Sequence, residues 1–255
     1  MHKWLRFEHA GRAGFVRLEG DQVVEYEGEL FDRPQATGRT YALAGVKVLT
    51  PTQPSKMLAI WNNFHALAAK LNLEEPKEPL YFVKTANSFL ASGETIRSPQ
   101  SFDGKVVYEG ELGVVMGRVC KAVTVSEAPD YIFGYTCIND VTAADVLNRD
   151  PAFQQWTRAK SYDTFGVFGP VVATGLDPAG LSVKTVLNGQ ERQNYAVADM
   201  IFSPAQLVSL ISQDMTLYPG DVICCGTSIG VGSMKPGSTV EVTIEGIGTL
   251  ANRFE

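Results

Sequence analysis

The sequence predicts an α+β fold dominated by β-sheet, with a small N-terminal β domain over residues 1–52 and a larger domain over residues 53–255. Three observations carry this. Strand-like runs outnumber helical ones, strands and helices do not alternate regularly, and the first fifty residues hold only short strands and turns. The lack of βαβ alternation argues against a Rossmann or TIM arrangement.

Taken in order, Trp4–Phe7 and Phe15–Leu18 read as strands joined through Ala10–Gly14, and Gly20-Asp21 turns into a third at Val23–Tyr26. Pro51 and Pro54 mark the boundary. Asn62 to Leu73 carries Phe64, Leu67, Ala68 and Leu71 at helical spacing. Val106 to Val119 is expected as one long strand and Tyr131 to Ile138 as another. Ser203-Pro204 reads as an N-cap followed by proline at the first helical position, with Leu207, Leu210 and Ile211 as the buried stripe. The turns Pro219–Asp221 and Lys235–Ser238 feed strands at Val222–Cys225 and Thr239–Ile244.

The totals narrow the function. A length of 255 residues with 45% apolar and 20% charged residues suits a water-soluble globular chain. No apolar run reaches the roughly 20 residues of a bilayer span, and the N-terminus lacks an apolar signal core, so the expectation is a cytoplasmic protein without a membrane partner. A net charge of −6 disfavours nucleic acid. Cys120, Cys137, Cys224 and Cys225 form no CxxC pair and read as buried, reduced thiols. With only three histidines, two of them near the terminus, any metal is expected on oxygen ligands.

Four segments carry chemistry. In Tyr108-Glu109-Gly110-Glu111-Leu112, two carboxylates two positions apart on a strand share a face, their Cα atoms roughly 6.6 Å apart. The neighbours are apolar, and like charges in such a strand are costly unless an ion neutralises them; a solvated edge strand is the plain alternative. The apolar run Tyr131–Ile138 ends in Asn139-Asp140, where Asp140 offers a third oxygen or merely caps a turn. Three carboxylates suit Mg²⁺ or Mn²⁺. Lys160, set among aromatic residues, is either a solvated lysine or a cation for an enolate oxygen. Cys225–Gly232 is a glycine-rich loop that lets backbone N–H groups approach an anion, although it is no Walker motif.

In their order and nearly in their spacing, these segments resemble the fumarylacetoacetate hydrolase family, whose pattern runs from an ExE strand through "GYT..ND", "(K)S(F/Y)D" and a late "TL.PGD.I..GT..G.G" loop. Here they stand as Tyr108–Leu112, Gly134–Asp140, Lys160–Asp163 and Thr216–Gly232, with Asn188–Gln193, Asp199–Phe202 and Tyr81–Lys84 also family-like. The resemblance covers about residues 56–253. It implies a β-rich fold of mixed sheets rolled around a metal site, a homodimer, and an enzyme acting on a small 2-oxo acid. By the same resemblance Glu109, Glu111 and Asp140 hold the metal, Lys160 is catalytic, and Lys84, Thr227, Tyr162 and Gly226 bind substrate.

The lid segment departs from the family's "NY..H..E": counting from Asn63, Leu67 stands at the histidine position and Lys70 at the glutamate position. His65 lies two residues early, rotated roughly 200° on a helix, and takes a catalytic role only with a local shift and Glu74 or Glu75 as partner. Ala144 stands where many members have a substrate arginine, leaving Arg149 or Arg158 as substitutes. The leading expectation is hydrolysis of a C–C bond in an acylpyruvate-type 2,4-dioxo acid. The alternatives are isomerisation or decarboxylation through the same enolate, and a non-catalytic metal-binding member.

Overall fold

The computed structural model describes residues 1–255. In chain order the elements used below are β1 (Lys3–His9), β2 (Arg12–Glu19), β3 (Gln22–Glu29), β4 (Asp32–Ala42), β5 (Met57–Trp61), α1 (His65–Leu71), β6 (Leu80–Lys84), β7 (Val106–Tyr108), β8 (Gly110–Met116), β9 (Ile132–Asp140), α2 (Trp156–Lys160), β10 (Gly166–Ala173), β11 (Ser182–Leu187), β12 (Gln190–Ala196), α3 (Pro204–Asp214), β13 (Val222–Cys224), β14 (Thr239–Ile244) and β15 (Gly248–Phe254).

Strands β1 to β4 form an antiparallel meander. They do not stand as a sheet of their own, because β1 pairs with β10 through Lys3↔Ala173 and Trp4↔Val172. The result is a 12-stranded sheet whose main path runs β4-β3-β2-β1-β10-β9-β8-β13-β5-β6. Most neighbours are antiparallel, but β13 lies parallel to β5, so the sheet is mixed. A five-stranded sheet, β12-β11-β14-β15 with Thr95–Ile96 at its edge, packs on the centre of the large sheet. A third sheet holds β7 between Thr142–Ala143 and Gly232–Ser233.

Period-2 alternation splits the central strands between two apolar layers. Leu58, Ile60, Leu112, Val114, Cys137, Val167 and Ile223 face the five-stranded sheet and α3 in one large core. Met57, Ala59, Val115, Ile138, Phe168, Val172, Val222 and Cys224 form a second layer on the opposite face. Burial on both faces is why these strands read as apolar runs rather than as a polar–apolar alternation. By the same alternation Glu111 and Asp140 lie on the second face. All four cysteines are buried and unpaired, and no helix is long and apolar enough to cross a membrane.

Two expected elements are shorter or interrupted. The helix expected over 62–73 covers only His65–Leu71. Asn62 is left-handed at φ 55°, and the Asn63 side chain is engaged with the chain 139 residues on: it accepts from Phe202 N–H at 2.8 Å and donates to the Phe202 carbonyl at 3.1 Å. The long strand expected over 106–119 breaks at Glu109, so that β7 and β8 belong to different sheets. The Ser203 cap is present and reciprocated by Gln206 in a capping box.

Candidate metal centre

Glu109 sits at the break between β7 and β8. Its N–H donates to the Asn139 side-chain oxygen at 3.0 Å, and its carbonyl accepts from Asp140 N–H at 2.8 Å. Gly110 follows because the space beside it is filled: a Cβ there would lie 2.0 Å from Thr185 Oγ1. The glycine lets the strand press against β11 while the two flanking glutamates turn to the other side. β8 and β9 pair in register, Gly110↔Asn139 and Glu111↔Ile138, and this brings Asp140 to the same end. The sequence left open whether Asn139-Asp140 is a turn; both residues lie within β9.

One oxygen from each of Glu109, Glu111 and Asp140 lies within 4.8 Å of the others. Glu111 and Asp140 are each 1% exposed. Lys160, at the end of α2, donates to Glu109 Oε2 at 2.8 Å and to Asp140 Oδ2 at 2.6 Å. Lys84 pairs with Asp140 Oδ1 at 2.5 Å and also donates to the carbonyls of Lys160 and Val141. Three carboxylates thus face two ammonium groups, one negative charge in excess.

The titration of each group follows from that count. Burial raises the Glu111 carboxyl well above the ordinary range, with the negative charge of Asp140 adding to it, and the Gly226 N–H at 2.9 Å offsets only part. Burial works against an Asp140 carboxylate too, yet Lys160 and Lys84 outweigh it and hold the group below its usual value. Burial likewise opposes the Lys160 charge, but Asp140, Glu109 and Glu111 together keep that ammonium above its ordinary range. At Lys84 burial dominates and lowers the value. A buried all-oxygen cluster carrying excess negative charge fits a hard divalent cation, which would favour the charged form of Glu111.

The lysines differ in what they have left to give. An ammonium has three donors. All three of Lys84 are used on Asp140 and two backbone carbonyls, which suits positioning Asp140 rather than the substrate-binding role that the resemblance implies. Lys160 uses two on carboxylates and keeps one. Gly226 acts through its N–H on Glu111; its φ of +91° and the Ile60 carbonyl 3.1 Å from any added Cβ require glycine. The Thr227 hydroxyl donates to the Gly110 carbonyl at 2.9 Å and accepts from Gln193 at 2.8 Å, so its proton is also committed. Tyr162 packs on Phe102 and Phe165 and lines a different cavity with Asn87 and Arg97.

A cavity of about 240 Å³ opens over Glu109 and Thr227. α1 contributes Leu67, Lys70 and Leu71 to its wall; Trp61, Ile229 and Val231 complete the apolar lining. His65 does pair with Glu75, at 2.5 Å, but both side chains are about half exposed and neither lines the cavity. Arg149 and Arg158 are exposed and absent from the wall as well.

Sequence reasoning missed the residues that position the carboxylate cluster. Thr142 donates to Glu109 Oε1 at 2.8 Å. Gln193 accepts from Gly110 N–H at 3.0 Å, and Tyr195 donates to the Gly110 carbonyl. The "NG..RQ" likeness pointed to Gln193 without giving it a partner; Thr142 and Tyr195 carried no signal.

Residues 56–255 match the fumarylacetoacetate (FAA) hydrolase C-terminal family, and residues 2–51 match an N-terminal family described as Rv2993c-like. The chain belongs to the fumarylacetoacetate hydrolase family. A protein of Archaeoglobus fulgidus is 45% identical over 234 residues, 92% of this chain and 90% of that one. Oxaloacetate tautomerase YisK of Bacillus subtilis is 34% identical over 255 residues, 92% of this chain and 84% of that one. The crystal structure of 2-hydroxyhepta-2,4-diene-1,7-dioate isomerase from Mycobacterium marinum superposes with a TM-score of 0.91 at 37% identity, covering 100% of this chain and 98% of that one.

Proposed function

We propose that this chain is an Mg²⁺- or Mn²⁺-dependent enzyme that interconverts keto and enol forms of a small 2-oxo acid, shifting a proton or double bond without adding water. Glu109, Glu111 and Asp140 would hold the ion. The chemistry such an ion supplies when bound is Lewis-acid stabilisation of negative charge on an enolate oxygen.

Lys160 does the complementary work. Its ammonium is fixed by Glu109 and Asp140, and its remaining N–H is available to an oxygen at C2 of the substrate, where it stabilises the developing charge. Lys84 keeps Asp140 ionised and in place. Interconversion moves one proton between C3 and the C2 oxygen, so no water is consumed. Among the relatives with named activities, a tautomerase and an isomerase are consistent with that outcome, while a fumarylacetoacetate hydrolase of Exiguobacterium antarcticum is consistent with the hydrolytic one.

The observation that carries this reading is the wall of the cavity. Where a water activator belongs it has Leu67 and Lys70, and its only carboxylate is the ligand Glu109. Hydrolysis, the leading expectation from sequence, becomes the second reading. It rests on the exposed His65–Glu75 pair, which would have to move into the cavity as a general base.

The test is turnover of oxaloacetate and of an acylpyruvate with Mg²⁺, Mn²⁺ or EDTA, followed by ultraviolet absorbance and product analysis. The proposal expects a metal-dependent change in the enol band that Lys160→Met abolishes, with the acylpyruvate carbon chain intact. Metal-dependent release of two acids would overturn it in favour of hydrolysis.

A further inference from the structure

One cation on the cavity wall is left over once the metal centre is accounted for. Lys70 stands in the last turn of α1 with its side chain exposed, and no carboxylate or hydrogen-bond acceptor holds its ammonium. The rest of the wall it joins is largely apolar: Trp61, Leu67, Leu71, Ile229 and Val231. No arginine lines the cavity.

Charge counting gives this lysine a task. Glu109, Glu111 and Asp140 against Lys84 and Lys160 leave one negative charge, and a divalent ion turns that into one positive charge. The carboxylate beside the oxo group of a substrate neutralises it. A second carboxylate on the same substrate would find no partner at the metal end, and Lys70 is the one cation among the residues lining the cavity. At about 240 Å³ the space is smaller than the roughly 300 Å³ at which pockets for drug-sized ligands begin, which suits an acid with a short carbon chain. Resting on the 2-oxo acid reading, we propose that Lys70 is a specificity-determining residue: it binds the far carboxylate of a dicarboxylic 2-oxo acid, while the apolar wall takes the carbons between.

Lys70 also has a plain structural use, since a cation in the last turn favours a helix C-terminus. The test therefore reads a ratio that helix stability does not move. Binding of 2-oxoglutarate and of 2-oxopentanoate, five-carbon acids differing in one carboxylate, is measured by calorimetry on the Mg²⁺-loaded protein. The wild type should prefer the diacid by roughly tenfold, the size of a charge-assisted hydrogen bond. Lys70→Met should bring that ratio near one, and Lys70→Arg should keep most of it. A preference that survives Lys70→Met, or a wild type without one, would overturn the assignment while leaving the 2-oxo acid reading intact. Failure of both acids to bind the loaded wild type would overturn that reading and this inference with it.

Discussion

Glu111 and Glu25 are both carboxylates taken out of water, and their surroundings push them in opposite directions. Burial raises Glu111, and the negative charges of Asp140 and Glu109 add to it. Glu25, on β3, accepts two hydrogen bonds from Arg39 at 2.7 and 2.8 Å and one from Tyr41 at 2.9 Å. Those bonds, Arg39 first, overcome burial and lower it to about 2. Its unfolded value is about 4.3, so its contribution to stability is full above about pH 5 and is lost as pH falls from 4.3 towards 2. With Arg39 half exposed, the pair is screened. Glu25→Gln should therefore cost about 1 kcal/mol at pH 7, and the deficit should vanish near pH 2 in denaturant titrations run at both pH values. At this scale the sequence was legible where chemistry forces a residue type. Two glutamates and an aspartate in apolar strands require a counter-charge, and the cluster they form was readable. What Lys84 and Thr227 do was not readable, because it depends on how many of their hydrogen bonds are already spent, and those partners lie 34 to 117 residues away in the chain.

The elements show the same division between local and distant causes. α3 announces itself through Ser203, Pro204 and Gln206, all within one turn, and the structure has that capping box. Ser203→Ala removes the acceptor for the Gln206 N–H and should lower stability by about 1 kcal/mol, seen as a lower denaturation midpoint with an unchanged slope. α1 has no side-chain cap, and it starts later than its apolar spacing predicts because Asn62 is left-handed and Asn63 is held by Phe202, 139 residues along the chain. The break at Glu109 was hidden for a like reason. Val106 to Met116 is apolar enough for one strand, but β7 pairs with Thr142–Ala143 and Gly232–Ser233 while the Glu109 N–H goes to the Asn139 side chain. The interruption leaves Glu109 lining the cavity while Glu111, two residues on, is buried.

For the whole molecule, two sheets and a meander place Glu111 and Asp140 on the second face of the large sheet, with Glu109 beside them lining a small cavity. The β-rich architecture was legible from patterning alone. The joining of the meander to the main sheet through β1 and β10 was not, since that pairing spans about 170 residues. The central claim, proton transfer at C3 without hydrolysis, is tested most directly by proton NMR in D₂O. Protein with Mg²⁺ is given an acylpyruvate, and the C3 protons and the carbon skeleton are followed together. The account predicts exchange of the C3 protons for deuterium that needs both the metal and Lys160, with the skeleton unbroken. Cleavage into pyruvate and a second acid at a rate matching or exceeding exchange would contradict it.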